Sequence, residues 1–317
     1  MRLSIIALCY QHAPFLMSAL SSLENLQVKG GHEVWVIDDA SGDGSREILE
    51  QWAQKHPDWH FELHTENKGN CYRFNEVVKK CSGTWLLDFA TDDILIPENL
   101  NSWLDRADSM TNPGFCYADA LVFTSDPEKC KRFSELHPGQ IFPEGQILPS
   151  LLDARFICPP AVLFDRENFL KAGGYDSLLA YEDWDIWLRL SRSHQVCRFS
   201  EPVVLYRRHT QSLSASVWNK RNSRILESTA LILNRISTWT ELSTEKERLA
   251  WFARYHLRQS FLVQCPKPAR AFLNILKQLG NNHLKDQWMA WLSGKLPFIF
   301  PLYRYWKNRR EQQIFGP

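Results

Sequence analysis

Apolar runs and segments of helical periodicity alternate over the first 110 residues, and this alternation constrains the fold more than any other feature of the sequence. The first run, LSIIALC at residues 3–9, is continuous and rich in β-branched residues, as expected of a strand buried on both faces. Each run is followed by a segment whose apolar residues recur at helical spacing. We predict further strands at residues 33–38, 60–65 and 84–90. This β-α-β-α order predicts a mostly parallel sheet with helices on both faces.

The rest of the chain divides into an irregular part and a wholly helical part. Strands are predicted at residues 114–123 and 202–209, with a strand and a helix between them in PPAVLFDRENFLKAGGYD. The later helices are predicted at 217–239, 244–264, 268–279 and 284–293. Residues 217–317 hold 17 Lys and Arg against 6 Asp and Glu, whereas residues 1–216 hold 20 basic and 30 acidic residues. We therefore predict an α/β domain at 1–216 and a basic, all-helical region at 217–317.

Cysteine usage and hydropathy indicate the compartment. The eight cysteines are scattered without a Cys-x-x-Cys pair, which predicts reduced thiols. The apolar run near the N-terminus is too short and too β-like for a signal peptide. No segment approaches the length of a membrane-spanning helix. We therefore expect a cytoplasmic protein.

Two pairs of adjacent aspartates follow predicted strands. Asp38 and Asp39 close the second strand, and Asp92 and Asp93 follow the fourth. Because parallel sheets bind ligands outside the carboxyl ends of their strands, we expect both pairs at one rim. At the tip of a strand, Asp39 suits hydrogen bonds from a base or ribose. The stretch around Asp92 is balanced between a helix cap and a site for Mg²⁺ or Mn²⁺.

A third group of acids lies at the predicted start of a helix, in the sequence YEDWDIWLRL. A favourable interaction with the helix dipole suffices to explain Asp185. Three acids within four residues at the mouth of a sheet can also supply a general base, and Glu182 and Asp183 are the candidates. His209 stands at the end of the last predicted strand, where a lone histidine is more often structural than a ligand.

Five blocks, in this order, resemble the family 2 inverting glycosyltransferases over residues 2–215: SIIALCYQHAPFL, EVWVIDDASGDGS, NKGNCYRFNEVVKKCSGTWLLDFATDDIL, GGYDSLLAYEDWDIWLRL and VVLYRRHTQSLS. The resemblance implies an α/β protein with the A-type glycosyltransferase fold, a Rossmann-like, mostly parallel sheet flanked by helices, here with a C-terminal helical extension. It also implies transfer of a sugar from a nucleoside-diphosphate sugar, with a UDP-sugar favoured, to a hydroxyl of a glycan or lipid-linked acceptor in surface polysaccharide biosynthesis.

The resemblance assigns the donor nucleotide to residues that follow the first three strands. Tyr10 and Asp39 would contact the base and the ribose. Asn67 and Arg73 would lie near the base or the diphosphate. There is no G-x-G-x-x-G after the first strand, so a dinucleotide site of that type is not expected.

The resemblance also implies the residues that perform the chemistry. Asp92 matches the metal-binding aspartate of the family's Asp-x-Asp element and would bind Mn²⁺ or Mg²⁺, with Asp93 beside it in the nucleotide-sugar site. Asp183 matches the base of the family's Glu-Asp motif, with Glu182 beside it. His209 would be a further contact to the metal or the diphosphate.

One departure from the family pattern concerns the metal. Ala90 stands where the family usually has a first carboxylate. Asp88 lies two residues earlier on the same face of the strand, but its depth in the sheet argues against it as a substitute. Some members of the family lack this first aspartate, so we expect activity to be retained, while tight metal binding is not implied.

Alternative partners and functions stay open at this point. The C-terminal stretch GKLPFIFPLYRYWKNRREQQ suits an anionic membrane surface and suits a helix packed on the catalytic domain equally well, so the protein is expected in the cytoplasm or peripheral on the inner face of the membrane. Nucleic acid is a poorer fit and is not expected as a partner, because the acidic half would repel it. A nucleotidyltransferase would need a Gly/Arg/Lys-rich phosphate loop near the first strand, which the sequence lacks. A non-catalytic nucleotide-sugar-binding module is the third reading, and Ala90 favours it.

Overall fold

The computed structural model describes residues 1–152, 156–208, 223–239, 242–296 and 298–303. The chain divides into two compact units, one formed by Met1–Ser177 with Glu182–His209, the other by Leu178–Tyr181 with Thr210–Pro317. The predicted boundary between residues 216 and 217 lies outside the described residues and stays a prediction.

One sheet organises the described part of the first unit. Its strands are β1 (Leu3–Cys9), β2 (His32–Asp38), β3 (His60–Leu63), β4 (Trp85–Ala90), β5 (Ile94–Leu95), β6 (Pro113–Phe123), β7 (Lys131–Arg132), β8 (Val162–Asp165) and β9 (Gln195–Arg207). The order across the sheet is β3-β2-β1-β4-β8-β6-β9-β5, and β7 pairs with β6.

Helices connect these strands and cover the sheet. In the first unit they are α1 (Ala13–Leu23), α2 (Ser45–Lys55), α3 (Asn70–Val78), α4 (Leu100–Asp108), α5 (Leu148–Leu151), α6 (Arg166–Lys171) and α7 (Asp183–Ser191). The second unit contains α8 (Arg224–Ser237), α9 (Ser243–Leu262), α10 (Pro266–Gln278) and α11 (Leu284–Leu292).

The first half of the sheet is parallel, as the sequence predicts. β1 pairs with β2 on one side and with β4 on the other, in registers that place Leu3 beside His32 and beside Trp85. β2 pairs with β3 in the same direction. β1 is almost wholly buried, which explains why it reads as a continuous apolar run rather than an alternating one. The helices that follow these strands pack their apolar faces on the sheet, as Leu16 and Leu20 of α1 do.

The second half of the sheet is mixed. β8 runs antiparallel to both β4 and β6, whereas β9 runs parallel to β6. β9 begins seven residues before the predicted strand at 202–209 and shifts register several times against β6. The short β5 pairs antiparallel with the end of β9, so Ile94 lies beside Leu205. The segment that follows β4 is thereby joined to the last strand of the sheet.

The described part of the second unit is mainly helical, as predicted for the C-terminal extension. Its interior contains fully buried residues from several helices, among them Leu233, Leu257 and Phe272. Leu178–Tyr181 belongs to this unit: the Ala180 N–H donates to Ser228 Oγ at 2.7 Å. None of the described helices combines the length and the apolar composition needed to cross a membrane.

Candidate active site

The end of β1 brings the two aspartate pairs to the same rim of the sheet. The Asp39 N–H donates to the Cys9 carbonyl oxygen at 3.0 Å, and the Thr91 N–H donates to the Leu8 carbonyl oxygen at 3.1 Å. Thr91 also donates its hydroxyl to the Leu8 carbonyl at 3.0 Å. The chain that follows β2 and the chain that follows β4 are therefore fixed on either side of one strand end.

Asp39 is the centre of a buried and compensated network. Its carboxylate accepts the N–H groups of Lys68 and Gly69 and the Nε–H of Arg73, with distances of 2.7 Å for the last two. Arg73 is only 3% exposed and also donates to the Glu66 carbonyl oxygen at 2.6 Å. Gly69 has a φ of 85°, a conformation that glycine adopts at little cost. The network fixes the loop before α3 and the first turn of that helix.

Two other predicted nucleotide contacts lie beside this network. Tyr10 follows β1, and its residue is 45% exposed, so the ring is available for a base. Asn67 donates its side-chain N–H to the Asp39 carbonyl oxygen at 3.1 Å. The nucleotide roles of Tyr10, Asp39, Asn67 and Arg73 stay predictions. In the structure, Asp39, Asn67 and Arg73 bind to one another and to neighbouring backbone.

The Asp92–Asp93 turn is attached to the end of β9 through Arg207. The Arg207 backbone N–H donates to Asp93 Oδ1, and its Nε–H donates to the Asp92 carbonyl oxygen, both at 2.8 Å. The guanidinium lies over the rings of Phe15 and Phe123, 4.7 and 4.5 Å from their centroids. Burial, and then the charge of Asp92, raise the pKa of Asp93 well above its ordinary value. Asp93 is 2% exposed and shapes the turn, whereas Asp92 is partly exposed.

Three carboxyl groups converge near the end of β4, and we call Asp88, Glu182 and Asp183 the acid cluster. Asp88 comes from β4, while Glu182 and Asp183 begin α7. Burial raises the pKa of Glu182 to about 8, and the charges of Asp183 and then Asp88 add to the effect. Burial raises the pKa of Asp88 to about 7, with a further contribution from Asp183. Carboxyl groups with pKa values shifted towards neutrality are frequent at sites of proton transfer.

Tyr175 and α3 hold the acid cluster in place. Tyr175 donates its hydroxyl to Asp88 Oδ2 at 2.8 Å, which opposes the upward shift in the pKa of Asp88. The Asn75 side chain bonds both the N–H and the carbonyl oxygen of Tyr175, at 2.9 and 2.8 Å. Asn70, the first residue of α3, donates to Glu182 Oε1 at 2.6 Å. The helix that carries Arg73 therefore also contacts the acid cluster.

Asp185 has a structural role in the same region. It is 1% exposed and accepts the Nε–H of Arg189 at 2.8 Å. Arg189 in turn donates to the carbonyl oxygens of Ala172 and Gly174, which fixes the turn before Tyr175. No sequence motif indicates Tyr175 as a site residue, and the position of Asp88 within a strand disfavours it as a metal ligand. Asp88 is half-buried in β4 and accepts the Tyr175 hydroxyl, so the expectation that it does not replace the missing metal ligand stays a prediction.

A divalent ion would depend on few protein ligands here. Within the described residues, no group of three or more His, Cys, Asp or Glu side chains is arranged to hold a metal. His209 lies outside the described residues, so its predicted contact stays a prediction. An Mg²⁺ ion that is bridged by a substrate diphosphate needs only one or two protein carboxylates. The partly exposed Asp92 meets that requirement, so the residues fit a metal that arrives with the donor.

The family follows from a match over more than half of the chain. The family model described as glycosyl transferase family 2 matches residues 4–169. The chain belongs to this family. Poly(ribitol-phosphate) beta-glucosyltransferase of Bacillus spizizenii is 25% identical over 310 residues, which cover 86% of this chain and 46% of that protein. The chain spans 62% of the length of a Mycobacterium bovis protein to which it is 24% identical.

Two solved structures show which fold the chain adopts. Staphylococcus aureus TarS residues 1–349, in complex with UDP-GlcNAc, matches with a TM-score of 0.64 at 16% identity, covering 88% of this chain and 82% of that one. The mannosyltransferase PcManGT of Pyrobaculum calidifontis, in complex with GDP-Man and Mn²⁺, matches with a TM-score of 0.58 at 15% identity, covering 97% and 83%. The family 2 chain described here therefore has the A-type glycosyltransferase fold.

Proposed function

We propose that this protein is an inverting glycosyltransferase that moves a sugar from a nucleoside-diphosphate sugar, with a UDP-sugar favoured, to a hydroxyl group. The observation that carries the proposal is the acid cluster, in which Asp88, Glu182 and Asp183 lie together in a family 2 chain. Asp92 follows Asp88 by four residues at the same end of β4. In this proposal, Asp183 is the proton acceptor and Asp92 is the carboxylate that faces the diphosphate, and both lie in one region of the sheet.

The donor nucleotide would bind along the rim after β1 and β2. The exposed ring of Tyr10 can stack on a base, and the buried Asp39–Arg73 network holds the adjacent loop in a fixed conformation. A preformed loop binds a nucleotide at a lower entropic cost than a mobile one. Asp92 would face the diphosphate. A divalent cation bound there would supply positive charge for the departing phosphate oxygens.

Asp183 would act as the general base. The acceptor hydroxyl attacks the anomeric carbon of the sugar while its proton passes to the Asp183 carboxylate, and the bond between that carbon and the nucleoside diphosphate breaks. A single displacement inverts the configuration and needs no covalent intermediate. The pKa values of Glu182 and Asp88, raised to about 8 and about 7, mean that both groups retain protons near neutral pH. Fewer negative charges then surround Asp183 and the incoming hydroxyl.

The acceptor is proposed from the names of related proteins. One relative is a poly(ribitol-phosphate) beta-glucosyltransferase, and a structural neighbour was solved with UDP-GlcNAc. We therefore propose a glycan or lipid-linked acceptor in surface polysaccharide biosynthesis, at the inner face of an anionic membrane. The second candidate function is a non-catalytic nucleotide-sugar-binding module, which is favoured by Ala90 in place of the family's usual carboxylate.

Replacing Asp183 tests the proposal and separates the two candidates. We expect Asp183→Asn to reduce transfer or donor hydrolysis by about 10²- to 10⁴-fold, the range typical of a lost general base. Binding of the donor, measured by calorimetry with Mn²⁺, should change little because the nucleotide contacts are elsewhere. Glu98→Gln, which alters an exposed carboxylate shortly after Asp92, serves as the control. Donor binding without turnover in the unmodified protein, across nucleotide-sugars and acceptors, would support the binding module instead.

A further inference from the structure

One helix of the second unit, α11, exposes three large apolar side chains. Leu284, Trp288 and Trp291 of α11 are 75%, 60% and 57% exposed, and Lys295 follows just beyond the helix. Leu284, Trp288 and Trp291 recur at intervals of four and three, so they lie on one side of the helix, and the Lys295 ammonium lies over the Trp291 ring after the helix has ended. We call these four residues the α11 stripe. A helix of an ordinary folded domain turns such a stripe inward.

The opposite side of α11 is buried, so the stripe is the outer face of an anchored helix. Asp286 and Ala290 are the buried residues of α11. Asp286 accepts the Nε–H of Arg254 from α9 at 3.1 Å, and Arg254 also donates to the Asn281 carbonyl oxygen. Asp286 additionally accepts the His283 N–H at the start of the helix, at 2.9 Å. A buried ion pair thus fixes the orientation that leaves the two indoles exposed to solvent.

The charged residues near the stripe indicate that its partner is anionic. Lys285 and Lys295 are exposed, and the Lys295 ammonium lies 3.7 Å from the centroid of the Trp291 ring. Asp286, the acidic residue of α11, is buried and paired with Arg254. Residues 217–317 carry 17 basic against 6 acidic residues. Two copies of so basic a region would repel each other, whereas anionic lipid headgroups would attract it.

We propose that the α11 stripe is a membrane-contacting surface that inserts Trp288 and Trp291 into the headgroup region of an anionic bilayer. Indole rings favour this region because they have an apolar body and an N–H donor. The lysines beside them would remain at the level of the phosphates. Phe298 and Leu302, which come later in the sequence, are exposed as well. The inference gives a location to the membrane association that accompanies the proposed function, and vesicle binding tests it without any donor or acceptor.

The experiment is co-sedimentation of the full chain with vesicles of phosphatidylcholine, with and without phosphatidylglycerol. We expect binding to the phosphatidylglycerol vesicles at low salt and much weaker binding in about 0.5 M salt, where charges are screened over a few ångströms. Trp288→Ser should weaken binding roughly tenfold because apolar burial is lost. The Lys285→Gln/Lys295→Gln variant should lose the preference for phosphatidylglycerol.

A matched control makes the assignment specific. Trp251 of α9 is 59% exposed, close to the value for Trp288, but it does not belong to the stripe. Trp251→Ser should bind vesicles within about twofold of the unmodified protein. An equal loss for Trp251→Ser and Trp288→Ser would overturn the proposal, as would the absence of vesicle binding by the unmodified chain. Light scattering that shows dissociation of an oligomer in Trp288→Ser/Trp291→Ser would assign the stripe to a second copy instead.

Discussion

Asp39 and the acid cluster both lie near the carboxyl ends of strands in the same sheet, but their environments differ. Asp39 receives a buried guanidinium and two backbone N–H groups, so its negative charge is compensated where it lies. In the acid cluster, burial and neighbouring carboxylates raise the pKa values of Asp88 and Glu182. The first arrangement fixes a loop, whereas the second makes proton transfer possible near neutral pH. The comparison predicts that mutations in the two places affect different properties.

The largest effect on stability is expected at the compensated site. Arg73→Met would leave the Asp39 carboxylate buried without its cation, so we expect a loss of about 3–5 kcal/mol in the free energy of unfolding. Urea unfolding followed by circular dichroism at neutral pH measures it. Arg46→Met removes a guanidinium from an exposed pair with Glu50 and should cost no more than about 1 kcal/mol. Similar losses in the free energy of unfolding for the two variants would show that the buried Asp39–Arg73 pair contributes no more to stability than an exposed pair.

Asp92 should affect donor binding rather than folding. Asp92→Ala is expected to weaken the Mn²⁺-dependent part of donor affinity by roughly 10- to 100-fold. The measurement is calorimetric titration of a nucleotide-sugar with Mn²⁺ and with a chelator. Glu98→Gln should keep the full Mn²⁺ effect. If Asp92→Ala keeps it as well, Asp92 does not act through a metal.

The ionised form of Asp88 is expected to destabilise the folded protein at high pH. Its pKa in the folded protein, about 7, lies above its ordinary value, so the folded state binds more protons than the unfolded state between about pH 4 and 7. Stability is therefore lost as the pH rises through this window. Asp88→Asn should unfold at higher urea than the unmodified protein at pH 8, by roughly 1–2 kcal/mol, and the gain should vanish near pH 4. A gain that does not depend on pH would contradict this origin.

The smallest effect is expected at Tyr175. Tyr175→Phe removes the hydrogen bond to Asp88, which should lower stability by about 1 kcal/mol, more at pH 8 than at pH 5 because the bond to an ionised carboxylate is stronger. Tyr117→Phe is the matched control, since the Tyr117 hydroxyl donates to the Pro143 carbonyl oxygen at 2.6 Å. Its cost should be the same at both pH values. Equal pH dependence in the two variants would remove the link between Tyr175 and the charge of Asp88.

The first half of the sheet could be predicted because its strands are buried on both faces. Such strands appear as continuous apolar runs, and the helices between them force parallel pairing. The direction of β8 could not be predicted, because so short a strand as Val162–Asp165 fits either direction equally well. The beginning of β9 was missed since Gln195–Glu201 mixes polar and apolar residues and is followed by Pro202.

The candidate site was only partly predictable for a related reason. Aspartates at the ends of strands can be recognised in the sequence, as Asp39 and Asp92 show. The ion pair between Asp39 and Arg73 joins residues 34 positions apart, and no local pattern indicates it. Tyr175 has no motif of its own, and it reaches Asp88 because Asn75 and Arg189 fix the turn before it. Contacts between residues this far apart in the sequence become visible only in the three-dimensional structure.

Arg207 has a consequence for protein engineering. Arg207 joins the end of β9 to the Asp92–Asp93 turn through its main chain and its side chain. The two segments therefore have to be transferred together. A graft that moves the turn alone into another scaffold would lose the donor of Asp93 and the support of the Asp92 carbonyl. Libraries aimed at new donor sugars should therefore vary positions 92, 93 and 207 together, and chimaeras should be cut outside both segments.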